Sequence, residues 1–313
     1  MSSFVCFRGL VRVRSWSVSC YFVDAFAKLM AYSLKMRKIV YFFVIALFAG
    51  CAGNPDNANT TATTTATPPP VQVLQVAATP EKILDEKKHH GEQDDARPEL
   101  HIVSPEEGAV IEGPVVKVTL HLAGDLKGYK PSKDANGQGN HVHVILDNEP
   151  YEAYYDLSQP FELQNVAPGK HMLRVFPSRP WHESYKNEGA FAMVTFTVKG
   201  EPPNVSSASD VDPRAPLLTY SRPKGEYKGA DADAIMIDFW LSNAKLMGDG
   251  GAYRMRYFVD DDEARFIDKW EPVWLTGWLP GKHTIRLELL GPDNYPVKNG
   301  TYNITTREIT VVK

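Results

Sequence analysis

Three histidines are the strongest candidates for chemistry in this sequence. His141 and His143 lie two positions apart in a segment in which polar and apolar residues alternate. Residues two apart in a β-strand point to the same face of the sheet, so both imidazoles are expected on one face. His182 lies in a loop-like Trp-His-Glu-Ser-Tyr segment and can approach that face. Imidazole nitrogens bind copper and zinc, so these three residues form a candidate copper or zinc site.

The alternative is a solvated outer sheet face that carries two histidines and no metal ion. The neighbouring strand is expected to place Met172 and Arg174 on the same face, with Met193 one strand further away. A closed metal site needs three or four ligands at fixed geometry. The histidine pair alone therefore leaves both interpretations open.

A second group of candidate binding residues is aromatic. Trp270, Trp274 and Trp278 recur every four residues, but the proline and glycine between them argue against a helix. Trp278 aligns with an apolar position of an earlier repeat and is expected in the core, whereas Trp274 aligns with a glutamate and is expected at the surface. Exposed Trp270 and Trp274, or Trp181 beside His182, would suit stacking on sugar rings or packing on a partner. Packing inside the protein is the alternative.

No arrangement of residues predicts catalysis. The three cysteines, Cys6, Cys20 and Cys51, all lie in the first 51 residues, so the chain beyond them has no thiol and no disulfide. The motifs of serine hydrolases, zinc proteases and phosphate-binding loops are absent. The formal net charge is -4, without the basic excess typical of nucleic-acid-binding proteins. We therefore expect a non-enzymatic protein that does not bind nucleic acid.

A short corner motif occurs twice and defines the organisation of the chain. The tetrapeptide Pro-Gly-Lys-His begins at Pro168 and again at Pro280, 112 positions later, and a strand-like segment follows each copy. Asp147 and Asp260 recur at nearly the same offset. A constant offset indicates an internal duplication. Its length is that of one small domain rather than of a solenoid repeat.

Each repeat is predicted to be a β-sandwich, because roughly seven short strands are separated by turns and no convincing helix occurs. The strand–Pro-Gly-x-His–strand corner resembles the turn between strands E and F of bacterial immunoglobulin-like domains. The resemblance implies an all-β chain with two tandem immunoglobulin-like β-sandwich domains, at 99–200 and 217–313, joined by a linker at 201–216. His171 and His283 are expected to hydrogen-bond the backbone of their corners, since buried polar groups usually find partners.

The N-terminal region carries an export signal. A basic start at Met36 precedes a short apolar run and the tetrapeptide Phe-Ala-Gly-Cys, which ends at Cys51; this order is typical of a secretory signal peptide. The tetrapeptide resembles the lipobox of bacterial lipoproteins, with phenylalanine where the family prefers leucine. The resemblance implies cleavage before Cys51, lipid attachment to Cys51 and, because Ala52 follows, an outer-membrane location. Residues 1–50 are thus interpreted as an N-terminal extension and signal peptide, with translation starting at Met36.

Residues 51–98 are rich in threonine, alanine and proline and then in charged residues, a composition that predicts a disordered tether. Anchor, tether and duplicated sandwich favour a lipoprotein that displays two immunoglobulin-like domains as a non-catalytic binding or structural module of the cell envelope. Its partners would be the membrane and an envelope protein or a glycan. Copper or zinc binding through His141 and His143, with His182, is one alternative function, and glycan binding at a cell surface is another.

Replacing Cys51 by serine is expected to abolish acylation, because the thiol that carries the lipid is removed. Acyl chains contribute about 0.8 kcal/mol of membrane affinity per buried CH₂. Incorporation of labelled palmitate into the native chain and the C51S variant measures the effect. T60A, which leaves Cys51 in place and lies in the threonine-rich stretch after it, is the control and should be labelled like the native chain. Equal labelling of C51S would contradict lipid attachment at this residue.

Overall fold

The computed structural model describes residues 72–135, 137–201 and 211–313. The N-terminal extension, the predicted signal peptide, Cys51, the first part of the predicted tether and most of the predicted linker lie outside the described residues. Within the described ranges, no helix is both long enough and apolar enough to cross a membrane.

Most of the described elements are strands. The first part of the chain contains β1 (Gln75–Ala77), α1 (Glu81–His90), β2 (Arg97–Ser104), β3 (Ala109–Ile111), β4 (Val116–Asp125), β5 (His141–Leu146), β6 (Glu152–Tyr154), β7 (Phe161–Leu163), β8 (Gly169–Ser178) and β9 (Ala192–Val198). The second part contains β10 (Leu217–Arg222), β11 (Gly225–Lys228), β12 (Ala234–Ser242), β13 (Arg254–Val259), β14 (Arg265–Ile267), β15 (Val273–Thr276), β16 (Gly281–Leu290) and β17 (Ile304–Val312).

These strands form two sandwiches with the same strand order. In the first domain the sheet β2-β4-β7 packs on the sheet β3-β9-β8-β5-β6. In the second domain the sheet β10-β12-β15 packs on the sheet β11-β17-β16-β13-β14. In both, β3–β9 and β11–β17 are parallel pairs at the edge of otherwise antiparallel sheets. The predicted fold is confirmed: the chain is all-β, with two tandem immunoglobulin-like β-sandwich domains.

Alternate residues of the strands build the two cores. Val142 and Val144 of β5 lie in one buried cluster with Val116 of β4. Because side chains alternate across a strand, the intervening residues of β5 point away from that core. In the second domain Trp278 is buried in the core with Leu287, as the alignment of the repeats predicts.

Both corner histidines are hydrogen-bonded in the same way. His171 Nε2 lies 2.6 Å from the Ala167 carbonyl oxygen, as predicted, and His171 Nδ1 lies 2.7 Å from the Asp147 carboxylate. Asp147 also accepts a hydrogen bond from the Met172 backbone N–H at 2.9 Å. His283 makes the equivalent contacts in the second domain, at 2.9 and 2.7 Å. Each corner is therefore tied to the turn that follows β5 or β13 through one imidazole and one carboxylate.

The prediction of a disordered tether over 51–98 is wrong from residue 72 onward. Residues 72–96, here called the strap, contain β1, which pairs with β15 at the edge of the second domain, and α1, which packs Ile83 against Met236 and Trp274. The charged composition gives little indication of this order. Such short elements take their stability from tertiary contacts rather than from their own propensity.

The two domains pack through the outer faces of two sheets. Phe176 of β8 stacks on Trp240 of β12 with ring centroids 5.9 Å apart. Arg174 of β8 is fully buried and donates hydrogen bonds to the second domain. His141 and His143 lie on the same covered face and have 0% of their surface exposed. The interpretation of this face as solvated is therefore wrong, because a second domain covers it.

Replacing Asp147 by asparagine is expected to destabilise the protein more at acidic than at alkaline pH. Burial lowers the pKa of His171, but the hydrogen bond and charge of Asp147 and the Ala167 carbonyl outweigh burial and raise it. A histidine with a raised folded-state pKa contributes stability that is fully present below the unfolded-state value, near 6.5, and is lost as the pH rises through the folded-state value.

Urea unfolding at about pH 5.5 and about pH 8.5 measures the difference between native chain and D147N. A penalty of about 1–2 kcal/mol is expected at the lower pH. D125N, at an exposed position of β4, is the control and should show no such pH dependence. A penalty that is equal at both pH values would contradict the assigned role of His171.

Candidate metal centre

Three imidazole nitrogens converge where the two domains meet. His141 Nε2 lies 3.0 Å from His143 Nε2 and 2.9 Å from His182 Nδ1. One ring nitrogen of each residue lies within 4.8 Å of the other two. The structure thus brings together the three histidines that the sequence analysis singled out. Metal binding by them stays a prediction.

One strand and one loop position these imidazoles. His141 and His143 extend from β5 on the face opposite its core valines. His182 lies in the loop after β8, where its backbone N–H donates to the Arg179 carbonyl at 2.8 Å. The Arg179 guanidinium donates to the Asp94 carboxylate of the strap at 2.7 Å. The loop that carries His182 is therefore held on its outer side by the strap.

His182 adopts a φ of 68°, in the left-handed region that residues other than glycine rarely occupy. A residue in this region costs on the order of 1–3 kcal/mol and persists only where its surroundings fix it. In this conformation His182 Nδ1 lies within hydrogen-bond distance of both His141 Nε2 and the Tyr151 hydroxyl. His182, whose backbone is strained, is therefore the third member of the histidine cluster.

Desolvation keeps the cluster uncharged. Burial lowers the pKa of His141 to about 4, against a smaller opposite effect of its hydrogen bond to Gly139. Burial also lowers the pKa of His143 and of His182, and the neighbouring histidines and Arg222 act in the same direction. The three rings are therefore neutral near pH 7, which is the form in which imidazole binds a metal ion.

Two ring nitrogens approach a single lone pair, which can accept only one hydrogen bond. His141 Nδ1 lies 2.8 Å from the Gly139 carbonyl, which only accepts, so Nδ1 carries the hydrogen and Nε2 carries a lone pair. Both His143 Nε2 and His182 Nδ1 approach that single lone pair. A metal ion between the rings would use a lone pair of each. The Gly139 carbonyl would then be the outer partner that orients a ligating histidine.

Tyr151 adds an oxygen to the cluster, and the sequence analysis missed it. Its ring stacks on His143 with centroids 3.6 Å apart and planes inclined by 10°. Its hydroxyl lies 3.2 Å from His182 Nδ1. Burial raises the pKa of Tyr151, so the phenol is protonated near neutral pH. A single tyrosine ahead of a three-residue strand carries no periodic signal, and only the fold brings it beside the histidines.

The second domain covers the cluster. The Ser221 hydroxyl of β10 lies 3.2 Å from His143 Nδ1. Lys224 donates to the Tyr151 carbonyl, and its ammonium lies 4.4 Å from the centre of the Tyr151 ring. No motif connects Ser221 or Lys224 with the histidines in the sequence. Their role follows from the packing of one domain on the other.

The other side chains expected on this face are not part of the cluster. Met172 is buried beside Leu217 and Tyr302 of the second domain, and Met193 packs against that group. Arg174 donates to the Thr219 hydroxyl at 2.7 Å. The predicted lipidation residue, Cys51, lies outside the described residues.

The predicted aromatic binding residues do not form an exposed stacking surface. Trp274 points away from the core of its domain, but α1 covers it and leaves 7% of it exposed, so the expected exposure is wrong. Trp270 packs edge-on against Trp240, with centroids 4.9 Å apart, and donates its N–H to the Phe239 carbonyl at 3.0 Å. Trp181 is half-buried beside α1.

Comparisons with known proteins describe the architecture alone. No protein-family model matches the sequence, and no curated protein sequence matches it. Among solved structures, the chain is similar to the fibronectin(III)-like modules of Clostridium thermocellum CbhA, with 14% identity, coverage of 68% of this chain and 94% of that chain, and a TM-score of 0.24. It is similar to the D00-D0 domain of Intimin, with 11% identity, coverage of 69% and 100%, and a TM-score of 0.21.

The chain is also similar to the Bacteroides ovatus protein SGBP-B, solved in complex with a mixed-linkage heptasaccharide, with 10% identity, coverage of 68% and 47%, and a TM-score of 0.19. These similarities assign no ligand to this chain. The structure defines it as a tandem immunoglobulin-like β-sandwich protein with a buried histidine cluster between its domains.

His182→Gly is expected to be more stable than His182→Ala by about 1 kcal/mol in the presence of a chelator, because glycine adopts a positive φ without steric cost. Both variants lack the imidazole, so the difference isolates the backbone. Urea unfolding measures it. The same two substitutions at Glu188, which is exposed and has no positive φ, are the control and should favour alanine. Greater stability of H182A would contradict a strained backbone at this residue.

Proposed function

We propose that this protein is a metal-binding module of the bacterial cell envelope that holds one copper(II) or zinc ion between its two domains. His141, His143 and His182 are the protein ligands. The observation that carries the proposal is the convergence of three buried, neutral ring nitrogens within 4.8 Å of one another. A metal ion would give each of these nitrogens a partner, whereas His143 Nε2 and His182 Nδ1 now share the one lone pair of His141 Nε2.

The donor atoms favour these two metals. Imidazole suits copper and zinc, whereas calcium and magnesium prefer oxygen ligands. Three histidines leave a fourth coordination position, as in zinc sites that keep an open position. The Tyr151 hydroxyl, 3.2 Å from His182 Nδ1, is a protein oxygen beside the cluster that would suit that position. The donor set alone does not choose between copper and zinc.

Metal binding would also fasten the loop after β8 to strand β5, beneath the second domain. His141 and His143 come from a rigid strand, His182 comes from a loop, and Ser221 of the second domain contacts His143 directly. An ion that binds only the folded state stabilises it by mass action, by about 2.7 kcal/mol at a free concentration of 100 times Kd. The proposed ion is therefore both a ligand and a structural link.

The proposed location is the outer membrane, with acylated Cys51 as the anchor and a non-catalytic role for the domains. The support is the lipobox-like tetrapeptide and the lack of a catalytic motif in the sequence.

Isothermal titration of a soluble form, residues 52–313, is expected to show one copper(II) or one zinc ion per chain. The H141A/H143A double variant should lose this binding, and H182A should weaken it by at least about tenfold, since changes even in outer-shell partners cost 10–100-fold. Metal analysis after dialysis gives the stoichiometry independently.

The matched control is H101A/H121A. These two histidines also face each other across strands, with ring centroids 6.3 Å apart, but no third histidine joins them. This variant should bind metal like the native chain. Absence of stoichiometric binding to the native chain, or its persistence in H141A/H143A, would overturn the proposed function.

A further inference from the structure

A cavity of about 300 Å³ adjoins the histidine cluster. Three parts of the chain form its walls: Ile83 of the strap, His182 of the loop after β8, and Arg222 and Trp274 of the second domain. His182 belongs both to the cluster and to the cavity wall. A molecule in the cavity would therefore lie beside the proposed ion. The volume is at the lower end of the range for small-molecule sites.

The acidic residues that line this cavity each have a basic neighbour. The pairs are Asp231–Lys82 at 2.9 Å, Glu226–Lys228 at 2.7 Å and Glu86–His90 at 3.7 Å. The lysine ammonium groups compensate the negative charges of Asp231 and Glu226, whereas His90 compensates Glu86 only in its protonated form. A cationic ligand would have to compete with these partners.

Arg222 has no such partner among the residues that the structure describes. Its guanidinium donates one hydrogen bond, to the Lys224 carbonyl at 3.4 Å, and lies 5.4 Å from the centre of the Tyr227 ring. Asp238 is opposite Arg222 in the β10–β12 register, but its carboxylate accepts from the Lys186 ammonium instead. Arg222 therefore offers a positive charge and free N–H donors at the cavity wall.

Trp274 supplies a second donor. Only 7% of this residue is exposed, and its indole Nε1–H is buried without an acceptor. Buried polar groups nearly always have a hydrogen-bond partner, so each exception asks for an explanation. Trp274 lines the cavity, and rotation of its indole toward the cavity would bring this N–H group to an acceptor oxygen of a bound ligand.

We propose that the cavity binds a small organic carboxylate, held by Arg222, Trp274 and the metal ion of the cluster. This rests on the proposed function, because the ion supplies part of the attraction. The guanidinium of arginine matches a carboxylate with two parallel hydrogen bonds. The apolar body of the ligand would pack against Ile83 and Met236, which line the same cavity.

Benzoate is the probe for this site, because it joins a carboxylate to an apolar ring. The copper stoichiometry of each protein is measured first. Benzoate is then added to the copper-loaded chain, and the electron paramagnetic resonance spectrum of copper(II) is followed. We expect a saturable spectral change whose Kd rises by about tenfold or more in R222Q, since a charged hydrogen-bonded pair is lost. W274F, which keeps a ring but removes the N–H, should also weaken binding.

R214Q is the matched control, because it makes the same substitution at an exposed arginine that pairs with Asp212 and does not line the cavity; its Kd for benzoate should stay within about twofold of the native value. Copper bound without any spectral response to benzoate would overturn the carboxylate site and leave the proposed function standing. A response to inorganic phosphate but not to benzoate would also overturn it. Unchanged affinity in both R222Q and W274F would remove these residues from the site. Failure of copper to bind would overturn both proposals.

Discussion

The outer face of the β5–β8–β9 sheet carries polar side chains, and the second domain removes them from water. Each buried polar group must then find a partner inside the protein. Arg174 donates hydrogen bonds to the Thr219 hydroxyl and to backbone carbonyls. Lys186 donates to the Asp238 carboxylate. His141 and His143 find chiefly each other and His182. This desolvation makes the imidazoles neutral and leaves one ring nitrogen of each within 4.8 Å of the other two, on which the proposed metal centre depends.

The geometry of the proposed metal centre depends on the strap as well as on the two domains. Strand β1 of the strap covers the edge of the sheet at β15. An uncovered sheet edge can pair with strands of other chains. The far end of the strap reaches the first domain, where Gln93 accepts from the Asn140 side chain at 2.8 Å and Asp94 accepts from Arg179. Arg179 begins the loop that holds His182 in its left-handed conformation. The position of the third imidazole thus depends on a segment that precedes both sandwiches.

Local pattern explains what the sequence could predict. Alternation along β5 gives the common face of His141 and His143, because it depends on neighbouring residues alone. The corner that recurs 112 positions later reveals the duplicated sandwich. Tyr151 and Arg222 have no such signal, since their place beside the histidines follows from contacts between distant strands and between domains. The outward direction of Trp274 was predictable from its alignment with a glutamate of the first repeat. Its burial was not, because the helix that covers it lies in a segment of low-complexity composition.

Comparison of the two repeats shows which features belong to the shared fold and which belong to the candidate metal centre alone. The first and third residues of β5 are His141 and His143, and those of β13 are Arg254 and Arg256. The arginines remain partly exposed, and each donates to a carboxylate at 2.6 Å, Arg254 to Asp268 and Arg256 to Glu288. Solvent and paired carboxylates keep such cations charged at little cost. On a face covered by another domain, arginine side chains would instead carry a large desolvation penalty. Imidazole avoids this penalty because it can be buried in its neutral form. The same backbone positions therefore carry ion pairs where the sheet meets water and candidate metal ligands where it meets the second domain.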